Sequence, residues 1–99
     1  MHAPPPPREA LPHEGSKLAR LGRFPIIYRE RDDEAVLAGR GHSLELPPAR
    51  SLAGLADRLN ADEELTLAEM AALLTADFSE DAAEYIAAQL WAWHAVVPV

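Results

Sequence analysis

The spacing of apolar side chains changes character twice along this chain. The run Phe24-Pro25-Ile26-Ile27-Tyr28-Arg29-Glu30 is aromatic and β-branched, the composition of a strand, and Pro25 confines it to a strand start or a sheet edge. Arg31-Asp32-Asp33-Glu34 reads as a polar turn, Ala35-Val36-Leu37-Ala38 as a second short strand, and Gly39-Arg40-Gly41 as a tight turn with two permissive residues. His42-Ser43-Leu44-Glu45-Leu46 alternates polar and apolar up to Pro47-Pro48. The pattern predicts three short antiparallel strands, or a hairpin with an extra edge.

From residue 49 the period becomes helical. Leu52, Leu55, Ala56 and Leu59 recur at spacings of three and four, which predicts a helix over 49–60. Gly54 in its middle costs roughly 1 kcal/mol against Ala and is expected at a close helix contact. Thr66-Leu67-Ala68-Glu69 has the form of a capping box. The Thr66 hydroxyl can accept the Glu69 N–H while the Glu69 carboxylate reaches back to the Thr66 N–H. Leu65 and Met70 are placed as a hydrophobic staple, and Leu67, Met70, Leu73 and Leu74 form the expected buried face. Ser79 is the expected N-cap of a third helix, with Glu80 and Asp81 in its first turn and Ala82, Ile86, Leu90 and Trp93 as the inward stripe. Trp91 and Trp93 lie about 200° apart on a helix, so one is expected in the core and the other partly exposed to a partner. Ala95-Val96-Val97-Pro98-Val99 reads as a closing strand on the first sheet.

A small antiparallel sheet of about three strands packed on three helices is an α+β domain. Residues 1–16 hold five of the nine prolines and few large apolar side chains, the composition of a disordered, polyproline-like tail. The domain is therefore expected over 17–99. Nearly half of the chain is apolar, enough for a core without a staple. There is no cysteine, which removes disulfides, zinc thiolate sites and thiol nucleophiles together. No apolar run approaches the ~18–20 residues that span a bilayer, and the N-terminal residues lack the apolar stretch of a secretory signal. A cytoplasmic protein with no membrane association is expected.

Charge is unevenly placed. The formal net charge is −7, yet residues 1–50 carry eight Lys/Arg against seven Asp/Glu, whereas 51–99 carry only Arg58 against nine acids. Neutralisation of phosphates supplies most non-specific nucleic-acid affinity, so the acidic half argues against a nucleic-acid partner.

Catalytic chemistry finds no constellation to stand on. Ser16, Ser43, Ser51 and Ser79 each read as tail, turn or cap residues, and none lies in a Gly-x-Ser-x-Gly elbow. Gly39-x-Gly41 has no following Lys-Ser/Thr to make a phosphate loop. His2, His13, His42 and His94 have no metal-ligand spacing, leaving only a tertiary meeting of His42 and His94 to consider. The acidic clusters Asp32-Asp33, Asp62-Glu63-Glu64 and Glu80-Asp81 fall in turns and helix starts, where solvated carboxylates are ordinary. A non-enzyme without metal or cofactor is expected.

The order of strands, helix, capped helix, helix and closing strand resembles a winged-helix-like module. It is similar to the C-terminal winged-helix domain of cupin-type, JmjC-like protein oxygenases, including the ribosomal-protein hydroxylases, over residues 18–97. The resemblance is carried by residues 35–46 with Leu44-Glu45-Leu46-Pro47, by Leu52-x-x-Leu55, by Leu65-Thr66-x-x-Glu69 and by Ile86-x-x-x-Leu90. That family works through a separate cupin barrel with a His-x-Asp iron motif, which this chain lacks, so the resemblance implies an accessory domain only. The chain also resembles the small peptide-recognition elements (RiPP recognition elements) of systems that modify ribosomally made peptides. These bind a leader peptide by adding it to a sheet edge, and commonly carry a glycine before the last strand where this chain has Trp93-His94-Ala95.

The implied function is peptide or protein recognition in the service of a separate modifying enzyme. The rival readings are a winged-helix DNA-binding regulator and an accessory or dimerisation fragment of a cupin-type 2-oxoglutarate oxygenase, the latter implying a homodimer. The expected site is the edge strand over 24–30 and a groove between the sheet and the third helix. Arg23, Ile27, Arg29, Arg31 and Trp91 are its candidate residues. Three arginines in an otherwise acidic protein point to an acidic extended peptide. The alternative is that they only balance Asp32, Asp33 and Glu34.

Overall fold

The computed structural model describes Pro12 and residues 15–99. The expected proline-rich tail lies outside the described residues apart from Pro12, Gly15 and Ser16. Five strands and three helices follow: β1 (Leu18–Arg20), β2 (Ile27–Arg31), β3 (Glu34–Gly39), β4 (His42–Leu46), α1 (Arg50–Asn60), α2 (Leu67–Leu74), α3 (Glu80–Ala92) and β5 (Val96–Pro98). The domain is α+β, with an antiparallel three-stranded sheet ordered β2-β3-β4 and a separate two-stranded sheet β1-β5.

The expected hairpins form, with shifted boundaries. Phe24 and Pro25 are exposed and precede β2, which starts at Ile27. The second turn is Arg40-Gly41 alone, both residues at positive φ (53° and 81°), the signature of a two-residue turn matched to the strand twist. Gly39 belongs to β3 and serves packing instead. A Cβ there would stand 3.1 Å from the Ala95 Cβ, so that one of the two would have to give by a few tenths of an ångström, and the bare Gly39 eases the approach of β3 to the residue before β5. The register places Tyr28, Leu37 and Leu44 in one cross-strand row and Ala35 beside Leu46; this face packs on the core. Ile27, Arg29 and Arg31 share the opposite face with Val36, Ala38, Ser43 and Glu45.

Leu52, Leu55, Ala56 and Leu59 of α1 are buried as their spacing predicts. Gly54 is not at a close contact: it is exposed, and a Cβ there would meet open space. The N-cap residue of α1, Ala49, has no side-chain cap to offer, and tertiary partners substitute for one. The Tyr28 Oη accepts the Ala49 N–H at 2.9 Å, and Asp77, from the α2–α3 connection, accepts the Ser51 N–H at 3.0 Å. The Ser51 hydroxyl and N–H beside Asp77 hold its carboxyl below the usual range. The N–H makes the bond, since the hydroxyl lacks hydrogen-bond geometry.

The capping box of α2 is complete, with Thr66 N–H to Glu69 Oε1 at 2.9 Å and Glu69 N–H to Thr66 Oγ1 at 3.0 Å. Leu65 and Met70 are both buried, whereas Leu67 and Leu73 of the expected face are only half-buried. Glu69 also receives Lys17 Nζ at 2.7 Å. The Lys17 hydrogen bond and then the Thr66 N–H pull its carboxyl down to about 2. A depressed folded pKa means that the unfolded chain binds the proton first. The contribution is therefore present above the ordinary glutamate range near 4.5 and is lost as pH falls towards 2. Thr66→Ala is expected to cost roughly 0.5–2 kcal/mol. Glu69→Gln should flatten the acid limb of stability against pH between those two values. Denaturant titrations at neutral and acid pH check both, and an unchanged midpoint for Thr66→Ala would place the helix start elsewhere.

At α3 the Ser79 hydroxyl accepts the Ala82 N–H at 3.2 Å, as expected of the cap. The stripe is corrected: Ala83, not Ala82, is buried with Ile86 and Leu90. The expectation of one outward tryptophan fails, because Trp91 and Trp93 are 6% and 3% exposed. Trp93 is the C-cap, still helical with its N–H on the Gln89 carbonyl, and it is covered on its own side, where its ring stacks on His42 with centroids 6.0 Å apart. His94 then takes φ 59°, with its N–H on Trp91 and the Ala95 N–H on the Leu90 carbonyl. This is a Schellman motif with histidine in the conformation glycine usually supplies. It turns the chain into β5, which pairs with β1 and not with the three-stranded sheet.

Candidate functional site

β2 is an edge of its sheet, and its hydrogen-bonding alternation can be read from the register. Arg31 and Glu34 close the two-residue turn, so Arg31, Arg29 and Ile27 face β3 with their backbone groups and Glu30 and Tyr28 face away. Ile26 continues this outward series. There, the Asn60 side chain takes the place of a neighbouring strand: Ile26 N–H donates to Asn60 Oδ1 at 2.8 Å, and Asn60 Nδ2 donates to the Ile26 carbonyl at 2.7 Å. The edge is thus closed at Ile26 and turned outward at Tyr28 and Glu30.

A cleft of about 310 Å³ runs beside this edge, lined by Ile27, Tyr28 and Arg29 on one side and Ala53, Asp57 and Asn60 on the other. The opposite wall is α1, which corrects the expected groove against the third helix. Tyr28 anchors the site, since its hydroxyl donates to Glu30 Oε1 at 2.6 Å while accepting the Ala49 N–H. Burial first, and then the bond to Glu30, raise its pKa, so it acts as a neutral hydrogen-bonding group.

Of the candidate residues, Ile27, Arg29 and Arg31 come together on β2. Arg23 sits in the turn before it, exposed. Trp91 does not join them, being part of the core. Among the described residues no ion pair joins Arg23, Arg29 or Arg31 to a carboxylate; the pairs formed are Lys17–Glu69, Arg20–Asp62 and Arg58–Glu63. Balancing of the three arginines by direct pairing with Asp32, Asp33 and Glu34 is therefore not seen. Asn60 and Tyr28 were missed as site residues. Asn60 ends the apolar period of α1 and carries no signal in one dimension for the backbone it clamps.

Arg40 lies over the Phe24 ring at 4.6 Å from its centroid, beside a concavity of about 590 Å³ at the β3–β4 turn. His42 is engaged with Trp93, and His94 is exposed. Among the described residues no group of three or more His, Asp or Glu side chains is placed to hold a metal ion, and no helix is long and apolar enough to cross a membrane. Comparison with protein-family models, with curated proteins and with solved structures finds no match to this chain.

Proposed function

We propose that this chain is a non-catalytic recognition module of the cytoplasm, accessory to a separate peptide- or protein-modifying enzyme, and that it takes an extended acidic peptide as an added strand on β2. The observation that carries the reading is the edge itself. Tyr28 and Glu30 turn their backbone groups outward beside the α1 cleft, with Arg29 on the cleft wall and Arg31 next along the strand. An added strand gains affinity from main-chain hydrogen bonds, and side-chain contacts select it. Against the DNA-binding alternative stands α3, where a recognition helix would need bases and where Glu80, Asp81 and Glu84 are found instead.

Amide-shift mapping with synthetic Asp/Glu-rich peptides of alternating β-branched residues tests this. Perturbations are expected at Tyr28, Arg29 and Glu30, and Arg29→Glu should weaken binding by about tenfold, the scale of a charge reversed in a partly screened contact. Glu30→Pro is the sharper probe: its N–H faces outward, so proline should block an added strand while the β2–β3 ladder stands. Ile27→Pro would instead break that ladder. Normal binding by both Arg29→Glu and Glu30→Pro, with shifts confined to the helices, would remove the edge-strand reading.

A further inference from the structure

A third concavity, of about 800 Å³, lies between α2 and α3. Its walls are alanine on both sides, Ala68, Ala71 and Ala72 from α2 and Ala87 and Ala88 from α3, with Phe78 at one end. Side chains this small let another helix approach towards the short end of the usual 8–10 Å interaxial range.

Charge on this groove has one sign. Glu80 and Glu84 both line it and are both exposed. Four residues apart on one helix, they repel each other. The helix N-terminus offsets this for Glu80, but its influence fades within the first turn. Among the described residues neither glutamate has an ion-pair partner within 4 Å, and residues 61–99 contain no Lys or Arg to provide one. A ligand that covers the alanines and brings cations to Glu80 and Glu84 would relieve a repulsion the fold leaves standing.

We infer that the α2–α3 groove docks a cationic amphipathic helix of a partner protein. A helix is favoured over an extended segment by backbone accounting: α2 and α3 have no free ladder groups on their flanks, so an extended peptide laid there would leave its own N–H and carbonyl groups unpaired. A helix satisfies its backbone internally and presents apolar anchors at spacings of three and four to the trough. Polyanions and anionic lipid surfaces are repelled by the same glutamates. A second copy of this chain fits poorly: among the described residues the helical cations are Arg50 and Arg58 on α1, whose apolar face is spent on the core and whose Arg58 is paired with Glu63. This inference does not depend on the β2 edge. Together the two surfaces would let the module hold a basic helix of an enzyme and an acidic substrate peptide at once.

The test uses the full chain and a synthetic amphipathic peptide of Leu, Ala and Lys, about 18 residues long so that it can be helical, beside a scrambled peptide of the same composition. Titration by fluorescence anisotropy should show tighter binding of the amphipathic peptide, with amide shifts at Ala72, Glu84 and Ala88. Glu80→Lys/Glu84→Lys should weaken it by about tenfold or more, since two contacts turn from attraction to repulsion. Ala72→Trp, which fills the trough at an exposed site, should weaken it comparably. Glu45→Lys/Glu64→Lys makes the same change in net charge elsewhere and should leave the affinity within about twofold. Arg29→Glu, aimed at the β2 edge, should not weaken it. Equal binding of the scrambled peptide, equal weakening by the distant charge reversals, shifts outside the groove, absence of binding, or self-association through this face would each overturn the inference.

Discussion

Leu18→Ala is expected to lower the unfolding free energy by roughly 2–5 kcal/mol, the range for truncating a buried leucine. Leu18 is fully buried at the junction of three segments. Its backbone exchanges hydrogen bonds with Leu65, both at 2.9 Å, on one side, and its strand pairs with β5 on the other. Pro98 stands opposite Leu18 in that ladder without loss. The bonds from Leu21 to Ala95 and from Val99 to Lys17 make Leu18–Pro98 a pair that exchanges no hydrogen bonds, so the missing N–H of proline faces away. Alanine keeps every one of these backbone bonds and removes only packing. A domain of this size has about 5–15 kcal/mol in total, and each kcal/mol is worth roughly 4–8 °C of melting temperature. Thermal unfolding should therefore show a drop of at least about 8 °C, and urea unfolding the corresponding loss of free energy. A loss under about 1 kcal/mol would mean that β1 rides on the domain without helping to hold it.

Asn60→Ala is the second large effect, expected at about 1–3 kcal/mol, because it strands a donor and an acceptor of one backbone residue together. The site is part-buried and Ile26 itself is 2% exposed, so water replaces the amide poorly. Asn60→Asp sharpens the test by keeping shape and acceptor while setting a carboxylate against the Ile26 carbonyl. That repulsion raises the folded-state pKa of the new carboxyl above its unfolded value of about 3.9. Stability of the variant should therefore be better at acid pH, where the protonated group can donate, and should decline as pH rises through the folded value. A variant that matches the wild type at neutral pH would show that solvent already serves this edge. The same substitutions open the edge by one residue, so the footprint of an added peptide should extend to Ile26.

The two arginine-bearing and acidic surfaces also explain the uneven charge of the chain in spatial terms. Arg29 and Arg31 lie on the solvent face of the three-stranded sheet, while Glu80 and Glu84 line a groove between helices. Asymmetry between the two halves of the sequence becomes asymmetry between a sheet and a helix pair.

What the sequence determined by itself was set by close neighbours along the chain. A tight turn around Arg40-Gly41, the alternation of β4, the apolar stripe of α1, the Thr66–Glu69 box and the Ser79 cap all depend on residues no more than four positions apart, where local sterics and hydrogen bonding act without help from the fold. Tertiary structure decided the rest. β1 is three residues long and gains strand character only because β5, nearly eighty positions later, lies on one side of it and Leu65 on the other. Trp91 and Trp93 are both buried because the end of α3 is covered on more than one side. The groove beside β2 is walled by α1 and its edge is closed by Asn60, since which helix reaches an edge is set by how the layers pack, and no periodicity within a segment encodes that choice.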